Sequence, residues 1–344
     1  MGAGNAKEKR IPKQLKTGEY EFVEEIISNS ICSATILVAS TKDPNFKLLL
    51  KCFSKETGNS KVKEKERETL YLQEYRFLER AEHPHIATII QNAYDPAYKS
   101  RGFMVQYFKS LETLLQEEKG RLYKFINAEE MLAQVLDALN YAYDKLKVVH
   151  LNLTPRCIMY SETDRRFIVS DWEKIFTYDQ EDPIRRETEQ LFLSSLKTNE
   201  DSIYLAPEVR TLSKLETKRI NPNSSVYSLG LIYLEVLGLP KNELEKLKKF
   251  DSETNYYTST VTEFLDRVEV NDDVKDLIFK MLMFYSHERI GLSAALHELE
   301  DIISKRNNKE IQGPLEILEQ KKSRLLFLFP TQPFYFGETE AEEF

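Results

Sequence analysis

The chain has 344 residues, enough for one two-lobed domain or two ordinary ones with a sizeable core. Hydrophobic residues make up 41% and charged residues 30%, the balance of an ordinary soluble globular protein. A net charge of −8 with a pI near 5.5 argues against nucleic acid as the main partner, and no stretch reaches the roughly 18 apolar residues of a membrane span.

Residues 1–18 are a basic start expected to be flexible, with Lys7, Lys9, Arg10, Lys13 and Lys16 against Glu8. Met1-Gly2 opens like an N-myristoylation signal, although Ala6 stands where Ser or Thr is preferred. One acyl chain plus a basic cluster would give peripheral membrane contact through Gly2. A plain basic terminus is the alternative. Residues 19–53 read as strands: Tyr20, Phe22 and Ile26 open the first, residues 34–39 form a second and 47–53 a third, with the turn signal Asp43-Pro44-Asn45 between the last two. Residues 61–82 lack Gly and Pro and carry Leu70, Leu72, Tyr75, Phe77 and Leu78, which predicts a helix ended by Pro84. Residues 86–94 and 102–108 read as further strands, completing a small lobe over residues 19–106.

Residues 107–305 turn helical. The segment 129–147 places Met131, Val135, Leu136, Leu139, Tyr143 and Leu146 at helical spacing. The largely apolar segment 225–239 predicts a helix buried on most sides, and helices are predicted over 274–284 and 293–305. The tail, residues 306–344, combines the aromatic runs 325–329 and 334–336 with Glu338, Glu340, Glu342 and Glu343. So apolar a tail is expected to fold back or to dock on a partner. Cys32, Cys52 and Cys157 show no paired spacing and no secretory signal precedes them, which predicts a reducing, cytoplasmic setting.

The run from Val148 to Ile158 carries the most information. It resembles the protein-kinase catalytic loop, H-R-D-L-K-P-x-N: His150, Leu153 and Pro155 keep its frame, while Leu151, Asn152, Thr154 and Cys157 replace Arg, Asp, Lys and Asn. Other anchors follow in order. Lys51 ends Leu48-Leu49-Leu50-Lys51, where the family has V-A-I-K. Glu74 precedes His83-Pro84-His85-Ile86, as the helix glutamate precedes H-P-x-I. Asp171-Trp172-Glu173 stands for D-F-G and Ala206-Pro207-Glu208 for A-P-E. The run 225–230 resembles D-V-W-S-L-G, and Arg289 resembles the arginine that pairs with the A-P-E glutamate. The ordered set spans residues 20–305 and implies an α+β, bilobal protein-kinase-like fold.

The resemblance also says what is missing. In active members the Lys–Glu pair, here Lys51 and Glu74, holds ATP phosphates, and hinge backbone, here Gln106 to Phe108 after Val105, holds the ring. The phosphate-loop glycines are replaced by Ser28, Ser30 and Ser33. Asn152 can orient a hydroxyl but not take its proton, and losing one acid–base group costs roughly 10²–10⁴ in rate. Asp171 remains as a Mg²⁺ carboxylate, whereas Cys157 offers soft sulfur; Glu173 is either a stand-in ligand or a solvated loop residue. Thr154 removes a phosphate cation, and Ser225 replaces the Asp that braces the loop backbone. Structural roles remain for His150, Trp172, Glu208 and Arg289, with Trp172 expected to pack with Leu78 and His150. The implied function is that of a pseudokinase: a scaffold or allosteric regulator for other proteins, such as a kinase or signalling complex, with weak or no binding of ATP, with or without Mg²⁺. The rival is a slow, divergent ATP-dependent Ser/Thr kinase that retains Lys51, Glu74 and Asp171.

Overall fold

A computed structural model describes residues 20–26, 34–53, 64–95, 100–118, 122, 125–178, 203–210, 220–250 and 255–307. The basic start with Gly2, the loop of Ser28, Ser30 and Ser33, and the aromatic tail lie outside the described residues.

Five antiparallel strands form the first sheet: β1 (Tyr20–Ile26), β2 (Ala34–Ser40), β3 (Lys47–Phe53), β4 (Ile89–Asp95) and β5 (Ser100–Gln106), in the order β1-β2-β3-β5-β4. Central β3 is buried on both faces, which is why it reads as a continuous apolar run. Strand alternation sends Leu48, Leu50 and Cys52 to a small core with Tyr20, Ile36, Val38 and Met104. Leu49 and Phe53 belong instead to the main core with Leu37, Phe103, Val105 and helix α1 (Glu64–Arg80). Gly102 on β5 has to be Gly: a Cβ there would meet the Lys51 carbonyl oxygen at 2.6 Å.

The strand predicted from residue 86 begins instead at Ile89. The backbone before it is already committed elsewhere. Val169 N–H donates to the His85 carbonyl at 2.8 Å, and Ala87 N–H donates to the Val169 carbonyl at 2.9 Å. This stitches the loop after α1 to the strand that precedes Asp171.

The larger part is mainly helical. Helix α2 (Leu111–Glu117) starts at Ser110, whose hydroxyl accepts from Thr113 N–H. Helix α3 (Ala128–Leu146) is capped by Asn127 and ends at Lys147, which takes a left-handed conformation at φ 56°. Beside α3 lie β6 (Lys109–Ser110), β7 (Val148–His150), β8 (Ile158–Ser161), β9 (Arg166–Val169) and β10 (Ile175–Thr177). They pair as β6-β8-β9 and as β7-β10, two small sheets that carry the loops of the site. After the short α4 (Pro207–Arg210), helix α5 (Asn223–Val236) is buried on nearly every side, as its apolar sequence predicts. Gly230 lets it approach its neighbours, since a Cβ there would lie 3.0 Å from Leu282 Cδ2.

Short α6 (Lys241–Leu244) leads to α7 (Asn255–Arg267), a helix that the sequence does not advertise. Thr258, Ser259, Thr260 and Thr262 are poor helix formers. Buried Tyr257, Val261, Phe264 and Leu265 hold it from one face, while Ser259 and Thr260 hydroxyls bond back to the Tyr256 carbonyl. Helices α8 (Asp272–Met281) and α9 (Leu292–Asn307) complete the fold. No helix among the described residues is long and apolar enough to cross a membrane.

Candidate functional site

Lys51 projects from the inner face of β3. Its Nζ lies 2.6 Å from Glu74 Oε1 and 2.6 Å from Asp171 Oδ1. Lys51 and Glu74 are 3% and 1% exposed, whereas the Asp171 side chain is 30% exposed. Sheet, helix and the segment after β9 thus meet at one ammonium.

The same face of α1 grips that segment at further points. Glu74 Oε1 also accepts the Trp172 backbone N–H at 3.1 Å. Gln73 Nε2 donates to the Ile175 carbonyl at 2.7 Å. Phe77, one turn on from Glu74, stacks on Trp172 with ring centroids 4.1 Å apart. Trp172 is fully buried, donates its indole N–H to the Val169 carbonyl at 3.1 Å, and meets His150 edge-on at 4.7 Å. The expected His150 contact is present, and the ring stacked from α1 is Phe77, with Leu78 buried in the same core. The sequence marks Phe77 as a helix residue but not as part of the site, although its place three residues after Glu74 puts it on the same helix face; Gln73 carries no such signal.

Burial works against a charge on Lys51, but Asp171 and Glu74 outweigh it and hold its pKa well above the ordinary value. Glu74 is pushed up to about 7, first by burial and further by Asp171 and Glu173, against the pull of Lys51. Two carboxylates contact one ammonium, and the Glu74 Oε2 is buried without a partner. Glu173 is 5% exposed, so it is no solvated loop residue. Asp171 takes a left-handed φ of 58°, a conformation that Asp tolerates better than most residues.

The catalytic-loop positions close upon themselves. Cys157 is buried, and its thiol donates to the Asn152 carbonyl at 3.3 Å. Its sulfur also lies 3.4 Å from the buried Thr154 hydroxyl. Burial pushes the Cys157 thiol up to about 12. It is therefore the neutral thiol at pH 8, and native protein is expected to resist iodoacetamide at Cys157 until urea unfolds it. Peptide mass mapping checks this; stoichiometric native alkylation would contradict it. Leu151, in the Arg position, is buried, and its N–H donates to the Lys174 carbonyl at 3.1 Å. The loop brace is altered rather than lost: Ser225 Oγ donates to the His150 carbonyl at 2.8 Å. A hydroxyl holds a carbonyl where the motif's carboxylate could only accept.

Val105 is buried on β5, paired with Leu49 and Ile89. Gln106 faces Leu48 in register, and Tyr107 N–H donates to the Lys47 carbonyl at 3.1 Å. Gln106 and Phe108 are half-buried at the edge of the cleft.

Farther off, Arg289 and Glu208 form a bidentate pair at 2.8 and 3.1 Å. The remaining Arg289 N–H groups donate to the carbonyls of Met283, Asn223 and Phe284, each at 3.0 Å. Its guanidinium lies over the Tyr227 ring, and Ser224 Oγ donates to Glu208 at 2.8 Å.

A nucleotide would find half of a site. Lys51 has three N–H groups, two of them engaged, leaving one for a phosphate oxygen. Part-exposed Asp171 could hold one hard cation. The Cys157 position cannot complete a two-metal clamp, because its protonated sulfur is buried and bonded within the loop. No cluster of three or more His, Cys, Asp or Glu side chains suited to a metal ion occurs among the described residues.

A five-stranded lobe above a helical one, joined through a buried Lys–Glu pair and the Asp after β9, defines the protein-kinase class of fold. The protein kinase domain matches residues 34–299, well over half of the chain, and the chain belongs to that family. No curated protein matches it.

Acid should weaken this core. His85 and His150 sit near 4, chiefly through burial, while unfolded histidines titrate near 6.5. Between those values the unfolded chain takes up protons that the folded one refuses, so stability falls as pH drops. Glu74 has the opposite sign, since folding holds a proton on it from about 7 down to the ordinary 4.5. Two histidines against one glutamate leave a net fall in stability as the pH drops between about 6.5 and 4.5. Urea midpoints should drop over that window; a flat or rising profile would refute the balance.

Proposed function

We propose that this chain is a pseudokinase, a kinase-fold scaffold or allosteric regulator that acts through protein contacts and binds ATP weakly or not at all. The observation that carries the reading is the self-bonded loop of Asn152, Thr154 and Cys157. Phosphoryl transfer is positioning plus electrostatics, carried by a base, a phosphate cation and metal ligands. Here an amide, a buried hydroxyl and a protonated thiol stand at those places. Lys51, Glu74 and Asp171 support the rival reading of a slow Ser/Thr kinase, because their 2.6 Å contacts keep a phosphate-facing ammonium in place.

Thermal-shift titration with ATP, with and without Mg²⁺, separates the two, beside a sensitive phosphotransfer assay on a mixed protein substrate. Ligand stabilisation grows as RT ln(1 + [L]/Kd), so millimolar ATP reports weak binding. The scaffold reading expects little or no shift and no transfer above a no-enzyme blank. Mg²⁺-dependent transfer that disappears in Lys51→Ala would establish the kinase instead.

A further inference from the structure

Between the hinge end of β3 and Lys51, Leu49 is the position of that strand that faces the main core. Along β3, Leu48 lies opposite Gln106 and Lys51 opposite Phe103, so a ring held at the hinge with its phosphates at Lys51 must pass Leu49. Directly beside Leu49 on the same sheet face are Leu37 of β2 and Val105 of β5. All three are buried, with Leu49 only 4% exposed. Met159 belongs to the same core, on the strand paired with Lys109 and Ser110 just beyond the hinge. The family motif V-A-I-K has the small Ala where Leu49 stands, three carbons short of Leu.

We propose that Leu49 fills the space an adenine ring needs, so that the cleft is packed by the protein's own side chains and Lys51 serves as an internal counter-ion. A buried Leu makes dozens of close contacts, and a ring cannot share its volume in a close-packed interior. Lys51 is satisfied without any phosphate, because Glu74 and Asp171 already neutralise it. This deepens the scaffold reading, since it names the side chain responsible for weak nucleotide binding.

The test is equilibrium binding of ATP, and of adenosine as a ring-only probe, to full-length wild type, Leu49→Ala and Leu49→Val. Leu50→Ala serves as the control: it deletes the same atoms from the opposite face of β3. Wild type and Leu50→Ala should show no saturable binding at millimolar ligand. Leu49→Ala should gain at least tenfold in affinity for both probes, with Leu49→Val between. Leu49→Val, the smaller change, carries the test should the Ala variant fail to fold. Wild type binding as tightly as Leu49→Ala would overturn the proposal. So would a folded Leu49 variant that gains nothing, or an equal gain in Leu50→Ala. None of these outcomes touches the phosphotransfer assay, so the scaffold reading stands or falls separately.

Discussion

Arg289→Ala is expected to destabilise the protein by about 3–5 kcal/mol, the cost of breaking a buried ion pair from one side. Arg289 is fully buried, and all five of its N–H donors are used: two on Glu208 and three on the carbonyls of Asn223, Met283 and Phe284. Truncation strands the Glu208 carboxylate and three carbonyls at once, and opens a void against the Tyr227 ring. Arg289→Lys should recover only part of the loss, because a point charge with three donors cannot reproduce the fork. Urea unfolding followed by circular dichroism measures both variants. A loss below about 1 kcal/mol for Arg289→Ala would mean that the pair behaves like an exposed one.

The second large effect concerns Lys51. Lys51→Met keeps the aliphatic stem but leaves Glu74 buried without its cation, and about 3 kcal/mol or more should be lost near neutral pH. The Asp171 limb contributes less, since that carboxylate is partly solvated. The loss should shrink on acidification, because Glu74, freed of the pull of Lys51, takes a proton more readily and becomes a neutral acid. Adding Glu74→Gln to Lys51→Met should restore much of the stability, with the amide still able to accept the Trp172 N–H. A double-mutant cycle at pH 7.5 and pH 5.5 tests this. Additive losses that do not change with pH would show that Lys51 and Glu74 are uncoupled. The expected loss arises with no nucleotide present, which sets a structural Lys51 apart from one that matters only when ATP is bound.

Much of the architecture was legible in the chain. The apolar run of β3 requires a strand covered on both faces, and the segment of α5 with its Gly230 requires a helix packed all round. The motifs from Lys51 to Arg289 identified the family because each is a local pattern at a set interval. Helix α7 was hidden because its hydroxyl-rich surface argues against a helix, and only packing of Tyr257, Val261, Phe264 and Leu265 overrides that propensity. The start of β4 was misplaced because residues 85–87 spend their backbone hydrogen bonds on a strand some 80 residues away.

The site divides in the same way. Sequence alone determined which chemical groups stand at the catalytic positions: an amide at 152, a hydroxyl at 154 and a thiol at 157. Residue identity needs no partner to be read. Only tertiary structure decided what those groups touch. It buried Glu173, turned the Cys157 thiol onto the Asn152 carbonyl, and let Ser225 keep a brace on His150 that its residue type had seemed to abolish. It also set Leu49 between Leu37 and Val105, and gathered two carboxylates about one ammonium. Burial and charge balance are properties of the whole packed chain, so no local pattern carries them.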